Sequence, residues 1–144
     1  MRPLLALLLA ALAVSAPAAT DVRERPDGVR EFWQMDFLPG GGMTPPADGP
    51  AWRPVEMPDR WRDPARFERH DGGWYRIRTQ GPADPSVVWG IQPWRVNMNV
   101  EVWVNGSFAG RDGRMERPVT RNWNRPLLFP VPAALWRAGE NEIH

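Results

Sequence analysis

The chain has 144 residues with 18 basic and 17 acidic side chains, so it is nearly neutral and lacks the basic excess on which nucleic-acid binding draws. Every basic residue is arginine, and cysteine is absent, which excludes disulfides, thiolate metal sites and cysteine nucleophiles. The length suffices for one domain with its own core.

The first element is a targeting signal. Met1-Arg2-Pro3 is a short charged start, Leu4 to Val14 an unbroken run of Leu, Ala and Val, and Ser15-Ala16-Pro17-Ala18 a small-residue segment. This three-part pattern predicts a secretory signal peptide over residues 1–18, cleaved after Ala18. The apolar run is too short to span a bilayer as a mature helix. The remaining chain of about 126 residues is expected to be exported, with its arginines and acids in balance once Arg2 is removed. Residues 19–28 are polar and read as a flexible lead-in to a domain over 29–144.

Within that domain the expected elements are short strands. Phe32, Trp33, Met35 and Phe37 form an apolar first strand. Leu38 to Pro50 is a loop, since Pro39-Gly40-Gly41-Gly42 and Pro45-Pro46 cannot continue a helix or a central strand. Trp52 to Met57 is a short strand, followed by an irregular connection to Gly72-Gly73. Trp74 to Thr79 alternates, with Tyr75, Ile77 and Thr79 on one face and Trp74, Arg76 and Arg78 on a wet face.

Val87 to Ile91 is a short apolar run, and Val100, Val102 and Val104 alternate with Glu101 and Trp103. Asn105-Gly106 then predicts a hairpin turn, because a type I′ turn needs positive φ at both central residues. Leu127 to Val131 is a further strand, and Val131 to Trp136 holds one helical turn. Gly139 to Ile143 enters a last strand that is expected to be cut short at His144, leaving the domain incomplete at its C-terminus. Frequent Pro and Gly, with no sustained helical period, predict an all-β sandwich or jelly roll.

Candidate chemistry is sparse. Asp59, Asp63, Glu68 and Asp71 are interleaved with Arg60, Arg62, Arg66 and Arg69, the pattern of a solvated loop with screened ion pairs rather than a paired-carboxylate site. Ser86 and Ser107 lack a nucleophile-elbow pattern, His70 and His144 lack metal-ligand spacing, and no loop resembles a phosphate cradle. No catalytic residue, metal or cofactor is expected.

The aromatic content is the sharper lead, with nine Trp. Trp94, Asn97 and Asn99 share one expected loop, and Arg121, Trp123 and Asn124 another. Both loops flank the same strands, at an end of the scaffold where ligand sites are commonly built. Flat indole faces beside amide and guanidinium donors suit a carbohydrate or another small polar ligand, although Trp94 and Trp123 are equally open to a packing role. Trp52, Trp61 and Trp103 read as core or edge residues.

Several pieces occur in a telling order: Trp52-Arg53-Pro54-Val55-Glu56-Met57-Pro58 with Trp61, Gly73-Trp74-Tyr75-Arg76, Val100 to Gly106, and Gly139-Glu140-Asn141-Glu142-Ile143. This order resembles the galactose-binding-like jelly roll that serves β-galactosidase and β-glucuronidase-type glycosidases as a non-catalytic sugar-binding domain. Asn97 to Gly106, with Gly113-Arg114-Met115 and Arg121 to Pro126, is also similar to the periplasmic N-terminal domain of bacterial membrane-bound sensor histidine kinases.

The second resemblance implies an extracytoplasmic ligand-sensing or interaction domain. It would be membrane-tethered only through a parent chain and able to act as part of a homodimeric receptor. The first implies a non-catalytic carbohydrate-binding domain of a secreted glycoside hydrolase. Kinase activity does not carry over to residues 1–144, which contain no kinase sequence.

Overall fold

The computed structural model describes residues 22–49, 51–59, 72–84, 86–123 and 125–144. The expected signal peptide, Trp61, Asp63, Glu68, His70, Asp71 and Asn124 lie outside the described residues. The described chain is all-β: ten short strands in antiparallel sheets, with helix confined to a single 3-10 turn at Ala133–Leu135.

The strands are β1 (Val22–Glu24), β2 (Arg30–Phe32), β3 (Gln34–Pro39), β4 (Arg53–Glu56), β5 (Gly73–Gln80), β6 (Trp89–Ile91), β7 (Val100–Val104), β8 (Ser107–Asp112), β9 (Phe129–Val131) and β10 (Glu140–Ile143). Six of them form the main sheet in the order β4-β3-β5-β10-β7-β8, while β1-β2 and β6-β9 form two ribbons. The last strand in sequence is therefore an interior strand, paired with β5 from Glu140↔Gln80 to Ile143↔Ile77 and with β7 at Ile143↔Val104.

The period-two pattern decides which face of this sheet is apolar. Val102 and Val104 of β7 and Ile143 of β10 point the same way and are buried with Phe129 and Val131 of β9, with Ile77, Ile91 and Leu135 packed around them. The β6-β9 ribbon thus covers one face of the main sheet, giving a sandwich of unequal layers. Burying each of these side chains contributes roughly 1.5–3 kcal/mol. Close approach of β9 requires Gly110, since a Cβ there would lie 2.8 Å from the Phe129 ring.

Several sequence expectations need correction. The lead-in read at 19–28 is paired as β1 over Val22–Glu24, where the turn at Asp27-Gly28 (φ 81° at Gly28) folds it back on β2. Arg30 ties this ribbon to the main sheet by donating to the Gln80 carbonyl, and its guanidinium lies 4.8 Å from the Trp89 ring centre of the β6-β9 ribbon. The first strand is interrupted at Trp33 and then runs on to Pro39, one residue beyond the expected start of the loop. Val87 and Val88 are exposed and precede β6 rather than belonging to it.

Arg76 is the largest departure. Alternation places it on the wet face, yet it is only 5% exposed. The loop after β3 supplies the reason: Asp48 and Trp52 lie over this face. Arg76 donates to Asp36 and Asp48, each at 2.7 Å, with its guanidinium 4.3 Å from the Trp52 ring centre. Arg78 continues the network to Asp48 at 3.0 Å and to Glu142 at 3.2 Å.

Candidate functional site

The two loops singled out for their Trp and Asn residues leave the same end of the sandwich. One joins β6 to β7 and the other joins β8 to β9. They are stitched together by an isolated antiparallel bridge between Asn97 and Trp123, and the Met98 N–H donates to the Asn122 carbonyl at 2.8 Å. Pairing across the loops holds Met98 at φ 81°, a conformation a bulky side chain adopts only when its surroundings impose it.

The polar residues divide into those that build the loops and those that face water. Asn99 builds. Its amide donates to the carbonyls of Arg114 and Thr120, both at 3.0 Å, and its oxygen accepts from Thr120 Oγ1 at 2.7 Å. That hydroxyl in turn accepts from the Arg114 N–H at 2.7 Å. Gly113 turns the chain here with φ 87°, and a Cβ in its place would sit 1.9 Å from Asn99 Oδ1. Asn99, expected as a ligand contact, thus has its donors engaged in holding the β8–β9 loop.

Asp112 anchors the other side of that loop. It accepts from Asn122 Nδ2 at 2.8 Å and lies 3.4 Å from Arg125. Asn122 shares the expected Arg121–Asn124 loop and Asp112-Gly113 reads from the sequence as a turn, but neither is among the expected ligand contacts. The position of Asn122 next to Trp123 offered a signal, because successive residues of a bridged segment face opposite ways.

The remaining candidates are presented to solvent. Trp94 is 80% exposed and Trp123 is 71% exposed. Asn97 and Arg121 are exposed as well. The structure therefore brings Asn97, Asn99, Arg121 and Trp123 onto one pair of bridged loops, with Trp94 three residues ahead of the bridge.

Elsewhere several aromatic residues pack. Trp52 is buried, and Trp103 sits edge-on to Phe108 with ring centres 5.3 Å apart. His144, not a site candidate, lies between Trp52 and Trp74, at 5.7 and 6.2 Å. Asp59, the described member of the acidic cluster, accepts from the Tyr75 hydroxyl at 2.8 Å. Among the described residues no group of three His, Cys, Asp or Glu side chains is placed to hold a metal ion, and no helix is long and apolar enough to cross a membrane.

Compared with known proteins, the chain matches no family model, no curated protein and no solved structure.

Proposed function

We propose that this chain is an extracytoplasmic ligand-sensing domain of the galactose-binding-like jelly-roll type, forming the N-terminal part of a membrane-bound sensor histidine kinase. Its ligand is a polar molecule with an apolar face, a carbohydrate above all. The observation that carries this reading is the exposure of Trp94 and Trp123 on two loops bridged at Asn97 and Trp123. An indole left in water forgoes the large burial an aromatic ring can supply, and a rigid support presents it ready to stack. Asn97 and Arg121 provide hydrogen-bond donors beside the rings for hydroxyl groups. The signal-peptide pattern of residues 1–18 supports a position outside the cytoplasm.

The test is a glycan-array screen of the chain, followed by calorimetric titration of the best glycan. Trp94→Ala and Trp123→Ala are each expected to weaken binding at least tenfold, about 1.4 kcal/mol, while the melting temperature holds. A parent chain that binds no glycan, or variants that bind as the parent does, would overturn the assignment.

A further inference from the structure

The two bridged loops that carry Trp94 and Trp123 are also the basic end of a nearly neutral chain. Residues 92–99 and 113–128 hold five arginines, Arg95, Arg114, Arg117, Arg121 and Arg125, against the single carboxylate of Glu116, so the remainder of the chain is net acidic. All five arginines are exposed. Arg125 lies 3.4 Å from Asp112, but Arg95, Arg114 and Arg121 form no ion pair among the described residues. By contrast, Arg25, Arg30, Arg76, Arg78 and Arg111 each face a carboxylate in an ion pair. Arg23, Arg53 and Arg137 also lack one, but they are scattered over β1, β4 and the turn before β10. Like charges gathered without counter-charges repel one another, and an anionic partner relieves that repulsion.

Alternation sets where these cations stand relative to the rings. On one side of the bridge, Arg95 and Asn97 are exposed while Val96 between them is half-buried. On the other, Arg121 and Trp123 are exposed while Asn122 between them is half-buried and bonded to Asp112. Successive residues of an extended segment face opposite ways, and directly paired residues share a face. Arg95, Asn97, Arg121 and Trp123 therefore stand on one outward face. Arg114 is drawn to the same place through its backbone. Its N–H donates to Thr120 Oγ1 at 2.7 Å and its carbonyl accepts from Asn99 at 3.0 Å, which sets it against the residue preceding Arg121.

Resting on the carbohydrate reading of the same loops, we infer that their ligand is an acidic polysaccharide of the uronate class, whose sugar rings carry carboxylates. A sugar ring lying flat on an indole projects its equatorial substituents sideways, past the edge of the platform. A carboxylate there meets the arginines of the same face, whose planar guanidinium forks take both of its oxygens at once. Such charge-assisted bonds are roughly twice as strong as neutral ones, so the acid is favoured over a neutral sugar of the same shape. Several cations and two indoles on separate segments match a chain of repeating anions better than one sugar, since each further contact forms within an already bound molecule. A bilayer is the poorer partner for this surface. Burying Trp123 in lipid would carry Asn97 and Arg121 of the same face toward hydrocarbon, where polar and charged groups are costly.

The experiment titrates the chain calorimetrically with oligogalacturonate, with the same oligomer after methyl esterification, and with phosphatidylglycerol vesicles. Esterification removes the charge and keeps the ring. The acid is expected to bind at least about tenfold tighter than the ester at low salt. It should lose most of that advantage in about 1 M NaCl, where the screening length falls to about 3 Å. This comparison is made on the parent chain and needs no variant to fold. Arg95→Gln and Arg121→Gln should each weaken acid binding at least about fivefold at an unchanged melting temperature, while Arg53→Gln, which removes a charge on β4, should not weaken it. Equal binding of acid and ester, or arginine variants that bind as the parent does, would overturn the acidic ligand and leave the carbohydrate reading standing. Binding of neither oligomer also overturns it, and the glycan array then decides separately whether the carbohydrate reading falls. Vesicle binding that needs Arg121, with no binding of the acid, would overturn the polysaccharide in favour of a lipid surface.

Discussion

Asn141 shows how much one polar side chain can organise. It is 1% exposed. Its oxygen accepts from Asn105 Nδ2 at 2.7 Å and from the Arg137 N–H at 2.8 Å, and its amide donates to the carbonyls of Arg137 and Gly139 at 2.9 Å. Truncation strips partners from several buried groups at once, and each orphaned group costs about 1–3 kcal/mol. Asn141→Ala is therefore expected to lose about 3 kcal/mol in urea denaturation. A loss under about 0.5 kcal/mol, the range of surface substitutions, would contradict the network.

His144 is the second residue whose setting matters. Its side chain is 2% exposed, and among the described residues neither ring nitrogen has a hydrogen-bond partner. Burial lowers its pKa below the ordinary 6.5, helped by Arg76 and Arg78. Glu142, with Oε1 3.5 Å from Nε2, pulls the other way but does not outweigh the desolvation. The folded ring stays neutral where the unfolded one takes up a proton. Stability from this residue is thus complete above about pH 6.5 and lost as pH falls below it, down through the folded pKa. Melting temperature should drop between pH 7 and pH 5 in the parent and less in His144→Gln. Parallel profiles would rule out a neutral buried ring.

At the scale of elements, the β7-β8 hairpin is the best-defined unit. Asn105 and Gly106 have φ of 52° and 78°, the conformation the Asn-Gly pair predicts. A Cβ at Gly106 meets nothing within 4 Å, so the cost of Gly106→Val is backbone strain alone, about 1–2 kcal/mol, read as a lower melting temperature. An unchanged melt would remove the turn assignment. The local signal showed the turn but not its tertiary use. Asn105 also donates to the Leu135 carbonyl at 2.7 Å and accepts from the Glu142 N–H at 3.0 Å, so the tip is fastened to a turn and a strand far along the chain. The reverse happened at β1, where Asp27-Gly28 carried a turn signal but its flanks were too polar to read as strands.

At the scale of the molecule, the indoles separate into packed and presented groups. Trp52 lies over Arg76 and beside His144, whereas Trp94 and Trp123 stand in solvent. Because the exposed pair adds little to the core, Trp94→Ala and Trp123→Ala should each leave unfolding free energy within about 0.5 kcal/mol of the parent. A loss of 2 kcal/mol or more in denaturant unfolding would instead mean that the rings lock the loops to the sandwich.

The sequence by itself determined the all-β class, the strand alternation of β5 and β7 and the Asn-Gly turn. These rest on short-range periodicity and on backbone preferences that neighbouring residues set. It also brought Trp94, Asn97, Arg121 and Trp123 into view, because residue types and loop chemistry are local facts. Only the tertiary structure decided that Arg76 is buried, that Asn99 holds a loop, that Trp94 and Trp123 face water and that β10 sits between β5 and β7. Each of these depends on which distant segment covers a face or pairs with an edge. The loop over Arg76 and the Asn97–Trp123 bridge are contacts between residues far apart in sequence, which no local period encodes.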